Sequence, residues 1–263
     1  MKSDIDTTFV LKCVKEVGDS FLPDFRKNKI PGTFEELLPI FRQIESKCLT
    51  SLKAKLSTRY HGTPWAEDEL DFDAQKEPMK VPEYWICDSM DGAVQFIQHI
   101  PGWTINLVLV RDQQPYFSAV YDPLHGEMFW AQVGKGAYLN DKKIQISPKK
   151  NSNFMLTGFS HPPFSTKVSG LNSRISSSVE RLLNRYGFIR NYGPTSLQMA
   201  YVACGRLDVF CEEGLDTFNW LPGILIAKEA GADILTTVGH TWKWGDDSVF
   251  VAAPTLIEIY NEV

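Results

Sequence analysis

Apolar positions recur at helical spacing in the first part of the chain. Residues 5–22 place an apolar side chain at nearly every third or fourth position, which predicts an amphipathic helix. Residues 33–56 carry the same pattern with Pro39 inside it, which predicts a second helix that is kinked or split at the proline. Residues 57–83 are acidic and loop-like. The chain is therefore expected to begin with two helices and a long connection.

Short apolar runs bounded by turn residues follow. They predict strands at Tyr84–Cys87, Thr104–Arg111, Tyr116–Tyr121 and Glu127–Gln132. Around Asn151 the pattern changes to strands that alternate with helices. The strands predicted there are Met155–Gly158, Leu207–Cys211 and Val249–Ala253, and the helices are Val179–Tyr186, Ser196–Cys204, Leu221–Ala230 and Leu256–Val263. We place a boundary near residue 150, which gives an N-terminal half (1–150) and a C-terminal half (151–263).

Residues 85–93 read W-I-C-D-S-M-D-G-A, with two aspartates directly after an apolar run. Asp88 and Asp91 can face one point at the end of a strand, and the carbonyl of Met90 can add an oxygen, an arrangement that suits a hard divalent cation. Gly92 lets the backbone turn tightly and present N–H groups to an anion. Taken alone, D-x-x-D-G also fits an ordinary acidic turn after a buried strand.

Further motifs follow in a fixed order: A-V-Y-D-P at 119–123, G-K-G-A-Y-L-N at 134–140, Y-V-A-C-G-R-L-D at 201–208 and E-A-G at 229–231. With residues 85–93, this order resembles the inositol monophosphatase family of Mg²⁺-dependent phosphomonoesterases, relatives of fructose-1,6-bisphosphatase and the bisphosphate nucleotidases. The resemblance covers about residues 60–263. It implies an α+β fold, a layered αβαβα sandwich, with the active site where the two halves meet.

The resemblance also implies a set of metal ligands. These are Glu67, Asp88, the carbonyl of Met90, Asp91 and Asn219. Glu67, Asp88 and Asp91 are the implied catalytic residues, and Mg²⁺ is the implied cofactor, with Mn²⁺ as a substitute. Glu67 belongs to an acidic pair with Asp68, and Glu69 could take its place if the register of that loop shifts. A solvated acidic loop is the alternative for this segment.

The implied substrate-binding residues are Gly92, Ala93, Ser196 and Glu212. The backbone N–H groups of the first two would meet the phosphate, and Glu212 would hold a substrate hydroxyl. Glu213, directly adjacent, leaves that last assignment open. Ser196 and Thr195 occupy a neighbouring turn, where an N-cap for the next helix is the alternative role.

The sequence departs from the family pattern at four places. Asn219 stands where the family has an aspartate, Ala93 where it has a threonine, and Ser89 where it has a proline. The early T-x-x-D segment has no clear counterpart, and Glu45 is only a weak candidate for its acid. An amide is neutral, so a second metal ion should bind more weakly, and without the threonine hydroxyl the attacking water should be less well activated.

The resemblance therefore predicts a Mg²⁺-dependent phosphomonoesterase that acts on an inositol or sugar phosphate, with reduced activity. A 3′(2′),5′-bisphosphate nucleotidase is one alternative. The other is a catalytically weakened relative that binds a ligand or acts in regulation. The expected partners are a small phosphorylated metabolite and a second copy of the chain, in a homodimer.

Composition narrows the class of protein further. The chain has 263 residues, 43% of them hydrophobic, which is enough for a large core. A net charge of −5 gives no electrostatic footprint for nucleic acid. The first residues lack the apolar stretch of a signal peptide, and no run reaches membrane-helix length. Five scattered cysteines without a C-x-x-C pair indicate free thiols, so we expect a cytoplasmic protein without membrane contacts.

Overall fold

The first sheet is a meander of six strands in chain order. The structure, a computed structural model, describes residues 4–66, 73–150, 154–162 and 168–261. Each strand pairs antiparallel with the next one along the chain. The strands are β1 (Glu83–Asp91), β2 (Thr104–Arg111), β3 (Gln114–Asp122), β4 (Glu127–Gln132), β5 (Gly136–Leu139) and β6 (Lys142–Ile144).

The second sheet is mixed and has five strands in the order β10-β11-β9-β7-β8. They are β7 (Leu156–Ser160), β8 (Phe188–Asn191), β9 (Val209–Glu213), β10 (Asp233–Leu235) and β11 (Ser248–Ala252). β7 lies parallel to β8 and β9, whereas β11 is antiparallel to both of its neighbours. The chain passes from the first sheet to the second between Ile144 and Leu156. The division into two domains at residue 150 stays a prediction.

The helices form three further layers. They are α1 (Thr7–Asp19), α2 (Phe34–Ser57), α3 (Ala93–Ile97), α4 (Leu171–Arg185), α5 (Thr195–Ala203), α6 (Thr217–Glu229) and α7 (Pro254–Asn261). α1 and α2 pack on the first sheet, α5 and α6 lie between the two sheets, and α4 and α7 cover the outer face of the second. These layers confirm the predicted αβαβα sandwich.

The strands of the first sheet are buried on both faces, because helices cover both. Along β1, Trp85 and Cys87 join the core under α1 and α2. Tyr84 and Ile86 point the other way, toward the start of α6. α6 is apolar all round its circumference, as a helix in the central layer must be. Within the described ranges, none of the helices is both long enough and apolar enough to cross a membrane.

Two strands, β2 and β4, have the predicted bounds, β1 is longer than predicted, and of the predicted kink or split in α2 the split is absent. The predicted strand Tyr84–Cys87 continues to Asp91, because pairing with β2 continues to that residue. The helix at Phe34–Ser57 is not split at Pro39. Thr33 caps its start by accepting from the Glu36 N–H, and four buried apolar side chains in the later turns hold it against the core. Five short elements were not predicted, because three to five residues are too few for a periodic pattern. They are the strands β5, β6, β8 and β10 and the helix α3.

Candidate active site

A β-bulge at the end of β1 brings the two aspartates of the motif to one face of the sheet. Asp88 lies opposite Asn106, and Asp91 lies opposite Thr104, so three steps along β1 match two steps along β2. In a regular strand, residues three apart point to opposite faces. The extra residue reverses that alternation. Asp88 and Asp91 therefore approach one another as a carboxylate pair.

Asn106 joins the two carboxylates and is not among the ligands that the resemblance implies. Its side-chain nitrogen donates to Oδ2 of Asp88 and to Oδ2 of Asp91, both at 3.3 Å. Asn106 is fully buried and Asp88 is 5% exposed. The available signal was a lone amide in the apolar run T-I-N-L-V-L-V, because a polar side chain inside a buried strand requires a polar partner.

The backbone turns sharply at Gly92, directly after the pair. Gly92 has φ = +87° and caps the short helix α3. The loop at Gly193 and Pro194 packs over this turn, and the Gln95 side chain donates to the carbonyl of Gly193 at 3.1 Å. The first N–H groups of a helix have no acceptor within it. Backbone N–H groups at Gly92 and Ala93 therefore directly follow the carboxylate pair along the chain, and their role toward phosphate stays a prediction. Ala93 itself is buried in the core.

The C-terminal half reaches the pair through the start of α5. The N–H of Ser196 donates to Oδ2 of Asp91 at 3.1 Å, and no side chain caps this helix from its own N-cap position, Pro194. The Ser196 hydroxyl donates to the main-chain carbonyl of Asn219. Ser196 thus lies in the contact between the two halves with its side chain fully buried. Its role toward substrate stays a prediction.

Glu212 lies inside the same contact region and is 1% exposed. Its Oε2 accepts from the Thr195 hydroxyl at 3.2 Å and from the indole N–H of Trp220 at 3.0 Å. Burial, reinforced by the negative charges of Asp216 and Asp91, holds the pKa of the Glu212 carboxyl well above its usual range. An acid in that state can donate a proton to a hydrogen bond as well as accept one.

Asn219 binds a neighbouring acid through its side chain. Its amide nitrogen donates to both oxygens of Asp216, at 2.9 Å each. Asp216 precedes α6 as its N-cap residue. The amide that replaces the family's aspartate is therefore held against a carboxylate one helical turn away.

The remaining acidic candidates are Glu45 and the three acids of the loop before β1. Glu67, Asp68 and Glu69 fall outside the described residues. Glu45 is half-buried on α2. In the part of the chain that the structure describes, no three or more His, Cys, Asp and Glu side chains come together as a metal cluster.

A hard divalent cation fits the donors at the end of β1. Asp88 and Asp91 supply carboxylate oxygens on one face, and oxygen donors are those that Mg²⁺ prefers. The Met90 side chain is buried in the apolar core, so its main-chain carbonyl is the atom that could serve. The described part of the site thus offers only some of the oxygen ligands that a cation needs. The predicted upstream acids would supply the others.

The five layers and the carboxylate pair at the end of β1 define a layered αβαβα protein with an acidic site where its two halves meet. The chain belongs to the inositol monophosphatase family, whose model matches residues 39–262. This match confirms the resemblance found in the sequence. The family is one of phosphatases.

Relatives in this family carry two different names. The Nus factor SuhB of Xylella fastidiosa is 34% identical over 165 residues, which cover 62% of this chain and 58% of that protein. The inositol-1-monophosphatase of Caulobacter vibrioides is 30% identical over 156 residues, covering 58% of this chain and 59% of that one. The chain thus aligns with less than two thirds of the length of these relatives.

Solved structures match nearly the whole chain. The Thermotoga maritima IMPase superposes with a TM-score of 0.78 at 20% identity, covering 97% of this chain and 96% of that one. The extragenic suppressor protein suhB of Bartonella henselae gives the same TM-score and identity, with 97% and 98% covered. At this identity the likeness shows the fold alone.

Proposed function

We propose that the protein is a Mg²⁺-dependent phosphomonoesterase that acts on a small phosphorylated metabolite of the inositol or sugar phosphate type. The observation that carries this proposal is the carboxylate pair of Asp88 and Asp91, placed on one face by the bulge and followed at once by the Gly92 turn. A cation site and an anion site are thereby adjacent. Hydrolysis of a phosphate monoester needs both.

Asp88, Asp91 and the carbonyl of Met90 would hold the cation, together with the upstream acids. When bound, Mg²⁺ would neutralise phosphate charge and lower the pKa of a coordinated water. The residues of the chain orient the substrate around that position. N–H groups of Gly92 and Ala93 would bind phosphate oxygens, since they lie at the start of α3.

The C-terminal half would bind the part of the substrate that carries hydroxyl groups. Glu212 accepts from Thr195 and Trp220. Thr195 directly precedes Ser196, whose N–H donates to Asp91 of the N-terminal half. Glu213, by contrast, is bound by Arg174 and Ser178 on α4. The geometry therefore favours Glu212 for the hydroxyl contact. A polyol or a sugar suits a hydrogen-bonding carboxyl better than an apolar group does.

Two residues support a reduced rate. The amide of Asn219 donates to Asp216, and an amide adds no negative charge for a second cation. Ala93 has no hydroxyl with which to orient a water. Removing a single electrostatic contributor of this kind costs on the order of 10²–10³ in rate, although grouped contributors do not add.

The test is phosphate release from inositol-1-phosphate, a set of sugar phosphates and 3′-phosphoadenosine 5′-phosphate, with Mg²⁺ or Mn²⁺. Asp88→Asn should lower turnover at least about 100-fold, because it removes half of the carboxylate pair. Asp141→Asn, in an exposed turn of the first sheet, is the matched control and should keep full activity. Activity that survives in Asp88→Asn would reject this site. The bisphosphate substrate separates the nucleotidase alternative from the others.

A regulatory role without turnover is the second candidate. It is favoured by the Asn219–Asp216 hydrogen bonds, which occupy both oxygens of a carboxylate that could otherwise face a metal ion. Relatives named Nus factor SuhB and inositol-1-monophosphatase are similarly close to this chain. This candidate would be favoured if the folded protein binds Mn²⁺ but releases phosphate from none of the substrates tested.

A further inference from the structure

β2 carries a side chain that its surroundings do not favour. Asn106 is fully buried between Asp88 on β1 and Val120 on β3, in a strand whose other central residues are apolar. Burying an amide is unfavourable unless hydrogen bonds replace those it made with water. A buried asparagine at this position is therefore expected to hydrogen-bond to a neighbouring polar group.

The partner is the carboxylate pair. The side-chain nitrogen of Asn106 bears two hydrogens, and the two aspartates each receive a contact from it at 3.3 Å. Two ionised carboxylates on one face repel each other, most strongly where little water reaches them. A neutral donor between them offsets part of that repulsion and fixes the direction in which each carboxylate points.

The oxygen of the same amide is less well satisfied than its nitrogen. Oδ1 of Asn106 is buried and has no hydrogen-bond partner among the described residues. An unsatisfied buried acceptor weakens the fold, whereas a leucine, which branches at the same carbon, would carry no acceptor. Stability alone therefore does not explain an asparagine at this place, while the bridge to the two aspartates does.

We infer that Asn106 is a positioning residue for the Asp88–Asp91 pair. Its amide holds the two carboxylates in a facing arrangement before any cation arrives, so that binding requires little rearrangement. This inference rests on the proposed function, in which the pair holds Mg²⁺.

The experiment measures Mn²⁺ binding to the purified full chain, from the electron paramagnetic resonance signal of free Mn²⁺. Groups that orient metal ligands typically change affinity about 10- to 100-fold when they are removed. Asn106→Leu should therefore weaken Mn²⁺ binding by about that factor. Asn106→Ser retains one hydroxyl donor in place of the amide and should weaken Mn²⁺ binding measurably, but less than Asn106→Leu does. Circular dichroism establishes that each variant is folded.

Thr104→Val is the matched control. Thr104 lies on β2 opposite Asp91, is fully buried, and its hydroxyl has no hydrogen-bond partner among the residues that the structure describes. Its Mn²⁺ affinity should equal that of the unmodified protein. If Asn106→Leu is folded and binds Mn²⁺ like the unmodified protein, Asn106 is an ordinary core residue and the inference is wrong.

If Asn106→Leu does not fold, Asn106→Ser decides in the same way: weaker binding supports the inference and unchanged binding overturns it. The proposed function fails separately, if the unmodified protein itself binds no Mn²⁺ or if Asp88→Asn leaves the binding unchanged.

Discussion

Glu212 and Glu213 are neighbours on β9 and point to opposite faces of the second sheet. Glu213 turns toward α4, where Arg174 and Ser178 donate to it. Glu212 turns toward the central helices, where the neutral side chains of Thr195 and Trp220 donate to it. The sequence alone could not decide which of the two glutamates faces the site. Adjacent residues of a strand point to opposite faces, but the sequence does not show which face carries the site.

The raised pKa of Glu212 predicts a pH-dependent cost in stability. Above about pH 4.5, the ordinary value, the carboxyl ionises in the unfolded chain while it stays protonated in the folded one. The unfolded state is thereby favoured as pH rises, until the pH passes the folded pKa. Glu212→Gln stays neutral throughout. In urea unfolding with EDTA, this variant should gain stability relative to the unmodified protein from pH 4.5 upward, by up to about 1.4 kcal/mol per pH unit.

Glu127→Gln is the control of opposite sign. Arg206 hydrogen-bonds to Glu127 and holds its pKa below the usual range. A group of that kind stabilises the fold above about pH 4.5, and the contribution is lost as pH falls. Glu127→Gln should therefore be less stable at neutral pH and should approach the unmodified protein in acid. A pH-independent difference for Glu212→Gln would contradict the buried protonated acid.

The turn between β1 and α3 is tightly packed. A Cβ built on Gly92 would lie 2.7 Å from the carbonyl oxygen of Gly102 and 3.2 Å from Cγ of Pro194. Glycine is thus required at this position for two reasons, its positive φ and the lack of space for a Cβ. The motif made the glycine predictable, but not the close approach of Gly102 from the connection to β2 and of Pro194 from the C-terminal half.

Gly92→Ala should destabilise the protein by about 2–5 kcal/mol, the sum of a left-handed backbone and an overpacked contact. Gly62→Ala separates the two effects, because Gly62 has φ = +78° and nothing lies within 4 Å of its added Cβ. It should cost only about 1 kcal/mol. Both values come from urea unfolding curves. If the two variants lose the same free energy of unfolding, the turn at Gly92 can accommodate a Cβ and the close packing is contradicted.

The bulge in β1 shows the limit of strand prediction. The motif indicated that Asp88 and Asp91 could face one point, yet a regular strand would separate them. What unites them is the two-against-three pairing with β2, which depends on the partner strand and leaves no mark in the spacing of residues 85–93. The apolar neighbours of Asn106 mark it as a buried amide that needs a partner, but the partner is the residue opposite on β1, which the sequence does not identify.

At the scale of the whole molecule, α5 and α6 form the layer that holds the two sheets together. They pack so closely at Gly223 that an added Cβ would lie 2.5 Å from Cβ of Met199 and 2.9 Å from its sulfur. Both helices are buried along most of their length. The five layers followed from the family resemblance, but the contact that sets the distance between these helices could not be inferred from either helix alone.

Gly223→Ala tests this packing because two effects compete. Alanine favours a helix over glycine by about 1 kcal/mol, whereas an overpacked core contact costs about 1–3 kcal/mol. We expect a net loss of stability, since Cβ of Met199 is fixed to its backbone and cannot swing away. Gly32→Ala, whose added Cβ meets only a side-chain oxygen at 3.8 Å, should change little. A thermal unfolding midpoint that rises in Gly223→Ala would contradict the predicted close contact.

The hydrogen bond from Ser196 to Asp91 joins atoms 105 residues apart in the chain. During synthesis, β1 and its carboxylate pair are complete long before the helix that they meet. A nascent or truncated chain that ends before α5 carries the whole D-x-x-D-G motif but lacks the N–H group that binds Asp91. The site is thus finished late, and a fragment that keeps the motif is not a smaller version of the protein.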